Sequence, residues 1–186
     1  MSFDENIAEV ATSCQFQRMS ERYEPPSDFL KALIAGEVPL TGDSFADANL
    51  RRLIEMMRDD DLANRDWATM LLAQHEIDTP EVKDALLIAA ADEDNVVKAE
   101  ALLGLAQRDK VLALPLVKAA LLCDDACVPL FAAAEMIADP SLVPFLSAWA
   151  EPSGDKFLDR CAFDALTACQ RGKRIAGAPD NLKTPS

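Results

Sequence analysis

The chain has 186 residues, half of them apolar, a formal charge of −14 and five cysteines. That apolar content is enough for one core without disulfide staples, and a field this negative repels polyanions, which argues against DNA, RNA and anionic membrane as partners. Charge or proline interrupts every apolar run short of the ~18 residues a membrane span needs, and no leader pattern is visible, so the expectation is a soluble, cytoplasmic protein with reduced thiols.

Six glycines and long runs of Ala, Leu, Glu, Asp and Lys favour helix nearly throughout, and no alternating β-branched run reads as a strand. Residues 1–46 form an N-terminal helical extension or cap, with short helices expected at about 3–22 and 27–35 on either side of Pro25-Pro26. Residues 47–171 then fall into four stretches, 47–75, 79–107, 111–138 and 139–171, each reading as two helices joined by a tight acidic turn. Residues 172–186, "GKRIAGAPDNLKTPS", are polar and without periodicity, and are expected to form a flexible tail.

The four stretches resemble one another. Placing "NRDWATMLLAQ" over "VKAEALLGLAQ" superposes Ala68 on Ala101, Leu72 on Leu105 and Gln74 on Gln107 at an offset of 33 residues. "VPLFAAAEMIAD" and "LDRCAFDALTAC" extend the alanine column to Ala132 and Ala162. A helix pair this short cannot bury both faces alone, whereas stacked pairs share a core, with the alanines where neighbouring helices come closest.

With its acidic turn, Val, basic residue, small residues and Leu-Gly pair, "DEDNVVKAEALLGLA" (92–106) resembles the HEAT repeats of the phycobilisome-lyase-like subgroup, and "DDDLANRDWATMLLA" (59–73) is a weaker copy. The resemblance covers residues 47–171 and implies an all-α fold, an α-α superhelix of about four helical hairpins. It also implies structural ladders between the turn aspartate and the basic residue six positions on, here Asp59 with Arg65 and Asp92 with Lys98. Pro129 and Asp159 stand at the basic position in the last two copies, where the ladder should be absent.

Candidates for chemistry are few. The one histidine, His75, rules out a His-rich metal site and reads as a capping or exposed residue. His75-Glu76 occurs once, whereas the HEAT-repeat enzyme deoxyhypusine hydroxylase builds its iron sites from several such pairs. Cys123 and Cys127, and Cys161 and Cys169, read as small core hydrophobes. Basic residues on the second helices, Arg65, Lys98, Arg160 and Arg171, are too sparse among acids for the DNA-binding wall of HEAT-like glycosylases. No catalytic residue, metal or cofactor is expected.

Positions one before and two after the alanine should point to the inner wall of such a superhelix. There Trp67, Met70, Leu103 and Phe131 would form an apolar row flanked by Asp66, Glu100, Glu135 and Asp164, the pattern of a protein-binding patch. The expected function is therefore a non-catalytic module binding a protein or peptide with a basic surface, as an adaptor or immunity-type protein. The alternative is an accessory subunit or lyase-like enzyme holding a cofactor or modified substrate on the same wall. Residues 1–46 are the competing occupant, since their own apolar positions must pack somewhere.

Overall fold

The computed structural model describes residues 24–123 and 125–177, and every regular element among them is helical. The helix expected at 3–22, with Cys14, lies outside the described residues. Among the described residues, nine α-helices follow in order: α1 (Asp28–Ile34), α2 (Ser44–Met56), α3 (Leu62–Gln74), α4 (Pro80–Ala89), α5 (Asn95–Arg108), α6 (Lys110–Ala120), α7 (Val128–Ile137), α8 (Val143–Leu146) and α9 (Lys156–Arg171). Single 3-10 turns at Pro140–Leu142 and Ser147–Trp149 flank α8.

Helix starts are set largely by aspartate. Asp43, Asp61, Asp94, Asp109 and Asp155 each accept backbone N–H groups at the first turn of the helix that follows, and Thr79 does so for α4. Each such cap satisfies donors that the helix itself leaves over, with the negative charge at the favourable end of the helix dipole. The first of the two helices expected in 139–171 is broken into α8 and its flanking turns. Pro144, inside what would be a continuous helix from Pro140, lacks the N–H such a helix would need.

The second helices of the pairs make a row of neighbours. α3 packs on α5, α5 on α7 and α7 on α9, while α2, α4, α6 and α8 each pack against the helix that follows them in the pairs. α1 packs against α3 through a face that buries Phe29, Leu30 and Leu33, and the Arg52 guanidinium of α2 lies 4.4 Å from the Phe29 ring centre. The entering chain is fixed where Ser27 N–H donates to Asn64 Oδ1 at 3.1 Å. α2 begins at Ser44, so the boundary expected after residue 46 falls within its first turn.

Counting from the first residue of α3, α5, α7 and α9 puts Ala68, Ala101, Ala134 and Ala162 at the same seventh position. All four are buried. The third member is Ala134 and not the expected Ala132, which is only half-buried. Beside this column, a Cβ added at Gly104 would stand 2.9 Å from Ala73 Cβ and 3.1 Å from Leu86 Cδ2. α5 therefore approaches α3 and α4 at a distance only glycine allows.

The tail also differs from expectation at its start. Gly172 passes so near the end of α7 that a Cβ there would fall 1.7 Å from the Ala138 carbonyl oxygen. Ile175 packs on the core and its N–H donates to Asp139 Oδ2 at 2.6 Å. Residues 178–186 lie outside the described residues.

Two substitutions test this packing. Gly104→Val should destabilise the protein by ~1–3 kcal/mol through overpacking, despite a better helix former at that position, as read by urea unfolding. Ala138 ends α7 at φ 51°, the left-handed region that costs an L-residue ~1–2 kcal/mol. Ala138→Gly should therefore raise the melting temperature, the net gain being about 0.5 kcal/mol after the added freedom of the unfolded chain.

Candidate functional site

The eight residues expected on an open inner wall do not form one. Trp67, Met70, Asp66, Glu100 and Phe131 are buried, each at most 4% exposed, while Leu103, Glu135 and Asp164 are half-buried. The expectation assumed that each second helix hides one stripe and shows the other. Instead, α3 is buried at every position from Asp66 to Ala73, and α5 from Ala99 to Leu102 and again from Gly104 to Ala106. An apolar row on such helices is core, not surface.

The true register of α7 explains Phe131. Two residues out of the expected column, it stands at the position Arg65 and Lys98 occupy on α3 and α5. Its ring meets Trp149 edge to face, centroids 5.8 Å apart, and Trp149 Nε1 donates to the Leu121 carbonyl at 3.3 Å. Phe131 thus ties α7 to the ends of α6 and the α8 segment.

The charged ladder is realised between neighbouring turns. Arg65 Nε lies 3.1 Å from Asp92 Oδ2, both side chains being 13% exposed, and Arg65 Nη1 donates to the backbone carbonyls of Asp59 and Asp60. The arginine therefore holds its own turn by the backbone and the next turn by the carboxylate. The expected Asp92–Lys98 pair is not what Lys98 makes; its Nζ donates to Asn95 Oδ1 at 3.1 Å, and Asn95 Nδ2 reaches Asp125 Oδ2 at 3.4 Å. At the same position of α9, Asp159 accepts from Ser153 N–H and Oγ–H at 2.8 and 2.7 Å, so the cation is absent there, as its sequence implies.

A residue without a role in the sequence reading, Arg108, closes the other end of α3. Its guanidinium donates to the carbonyls of Ile77 at 2.9 Å, Leu72 at 3.1 Å, Ala73 at 3.3 Å, Gly104 at 2.7 Å and also His75. A helix C-terminus leaves carbonyls unsatisfied, and one planar fork of donors answers several of them. Lys110 does the same for the Met136 carbonyl near the end of α7. The available signal was a basic residue in the last turn of a helix, but its target lies one pair back in the chain. His75 is the exposed C-cap of α3, its imidazole held below its usual pKa by partial burial and by Arg108.

Glu135 and Asp164 come together at the contact of α7 with α9. Burial, then the Asp164 charge, pushes the Glu135 carboxyl above its ordinary value, while Arg160 opposes the rise; Arg160 Nε is 2.7 Å from Asp164 Oδ2. The same burial and acids push the neighbouring Cys161 thiol up to about 11, and burial pushes Cys169 to about 12. Neither thiol is a thiolate at neutral pH, so neither is set as a nucleophile. Among the described residues, no three His, Cys, Asp or Glu side chains converge in a way that could hold a metal ion, and no helix is long and apolar enough to cross a membrane.

The chain matches no family model, no curated protein and no solved structure.

Arg108→Met keeps much of the aliphatic stem and removes every donor, and should cost ~2–3 kcal/mol in denaturant unfolding, because several carbonyls lose a charged partner together. Glu135 has the opposite sign. Its raised pKa means that the folded protein binds the proton more tightly than the unfolded chain, so stability rises as pH falls through the folded value. Glu135→Gln should therefore raise the melting temperature at pH 8, and the gain should vanish below the ordinary glutamate value of 4.5.

Proposed function

We propose that the protein is a non-catalytic interaction module, built as a HEAT-like α-α superhelix, that binds a partner protein or peptide with a basic surface. The row α3–α5–α7–α9 supports the superhelical reading, together with the buried alanine column and the turn-to-turn Arg65–Asp92 pair. Support for a basic partner comes from one observation. The turns before α3, α5 and α7 carry acids that face solvent: Asp60 and Asp125 are exposed, and the Glu93 side chain is 90% exposed.

The neighbouring aspartates, Asp61 and Asp94, are occupied as helix caps, whereas Glu93 and Asp125 stay exposed beyond their contacts with Arg65 at 3.7 Å and Asn95 at 3.4 Å. Such charges steer association and set selectivity more than they add affinity. The binding edge of this module is thus the edge of acidic turns, and the buried Trp67 row is the core behind it. An adaptor or immunity-type role fits this chemistry, because either would hold a basic protein without acting on it.

The test is capture of partners from the source cell by the native chain and by the triple variant Asp60→Lys, Glu93→Lys, Asp125→Lys. The variant should melt within about 2 °C of the native chain, since exposed substitutions of this kind change little. It should lose a partner that the native chain retains at low salt and releases at high salt. Equal retention by both chains at every salt concentration contradicts the proposal.

A further inference from the structure

The row of second helices ends, among the described residues, at α9, and the charge there differs from that of the rest of the chain. α9 packs on α7 and the α8 segment and buries Ala162, Ala165 and Cys169. Its opposite side carries Lys156, Arg160, Phe163, Gln170 and Arg171, all exposed and none acidic, at spacings that place them on one helical stripe. Residues 156–177 hold five basic residues against two acidic ones, in a chain of −14. Both acids are engaged locally: Asp159 accepts from Ser153 N–H and Oγ–H, and Asp164 accepts from Arg160. The side of α9 turned to solvent is therefore positive, with Phe163 at its middle, 60% exposed.

A surface of matching chemistry exists on the same molecule. Asp60, Glu93 and Asp125 are exposed on the successive turns before α3, α5 and α7. Exposed leucines accompany them, Leu62 at 42% and Leu122 at 49%. The dimensions agree as well. The 16 residues of α9 extend about 24 Å, and helices packed at about 8–10 Å set three neighbouring turns across about 16–20 Å. Cations around an aromatic residue thus face a row of acids and leucines of the same length, and an aromatic anchor with a charged surround is the make-up of an interface.

We propose that the partner seated on the acidic turn edge is a second copy of this chain, which enters with its α9 face. Lys156 and Arg171 lie over the acids, and Phe163 meets the exposed leucines. The inference rests on the reading of those turns as the binding edge. Because the two faces differ, the contact is heterologous: every joined pair keeps one open edge and one open α9, so association grows into chains or closes a ring. Two chains of −14 repel one another as wholes, but at about 0.1 M salt that repulsion is screened beyond about 10 Å while contacting pairs keep their attraction.

Sedimentation velocity of the full chain at about 0.1 M salt, over about 10 μM to 1 mM, tests this with two neutralised variants. One carries Asp60→Asn, Glu93→Gln and Asp125→Asn; the other carries Lys156→Gln, Phe163→Ser and Arg171→Gln. All six positions are exposed, so both variants should melt within about 2 °C of the native chain. The average mass of the native chain should rise with concentration, and its association should weaken about tenfold at about 1 M salt. Each variant alone should stay monomeric. Their equimolar mixture should form a one-to-one dimer that grows no further, since only one intact edge and one intact α9 face remain to meet. A native chain that stays monomeric, a variant that associates like the native chain, or a mixture that stays monomeric overturns the proposal. A monomeric native chain that still captures a salt-sensitive partner from the cell overturns the second copy as occupant and leaves the acidic-edge reading in place.

Discussion

Close approach between the second helices is the constraint on which the rest of the structure depends. Ala68, Ala101, Ala134 and Ala162 occupy one position on four successive helices, and Gly104 brings α5 against α3 and α4 with no room for a methyl group. Small residues at these points let backbones come near enough for larger neighbours such as Leu72, Leu86, Leu105 and Phe131 to interdigitate around them. Helices packed this tightly leave little of α3 or α5 to face water, and so the most apolar and aromatic part of the row is spoken for internally.

The same geometry explains where the charge goes. A chain of −14 suggests a surface chosen for solubility or recognition, yet many of its aspartates have structural work. Five cap helix starts, Asp92 pairs with Arg65, and Asp139 holds the chain after α9. The scarcer cations sit at the opposite ends of helices, where Arg108 and Lys110 answer carbonyls. Five helices thus have N-terminal donors met by anions, and α3 and α7 have C-terminal acceptors met by cations, in the sense the helix dipole favours. The acids proposed for recognition are the exposed ones on the turns.

Much of this was legible from local rules. The all-helical character, α1, the tight acidic turns and the alanines at 68, 101 and 162 follow from composition, caps and a helical period. The third alanine was misplaced because "AAA" at 132–134 offers three equivalent choices; the helix start at Val128, with Pro129 in its first turn, decides among them. The wall around Trp67 was misjudged for a different reason. A helical wheel says which residues share a face, but not how many neighbours press on the helix, and α3 and α5 are enclosed on more faces than one stripe requires. Arg108 escaped notice because four of its five acceptors are more than thirty residues away in the chain, a distance that no local pattern spans.

Residue-resolved native-state hydrogen exchange tests the account most directly, since the tight row should make α5 the last helix to open. The slowest amides of the chain should lie in α5 between Val97 and Ala106, approaching the global unfolding free energy, with α8 exchanging far faster. Exchange of α5 as fast as that of α8 would contradict the claim that close helix approach holds this fold together.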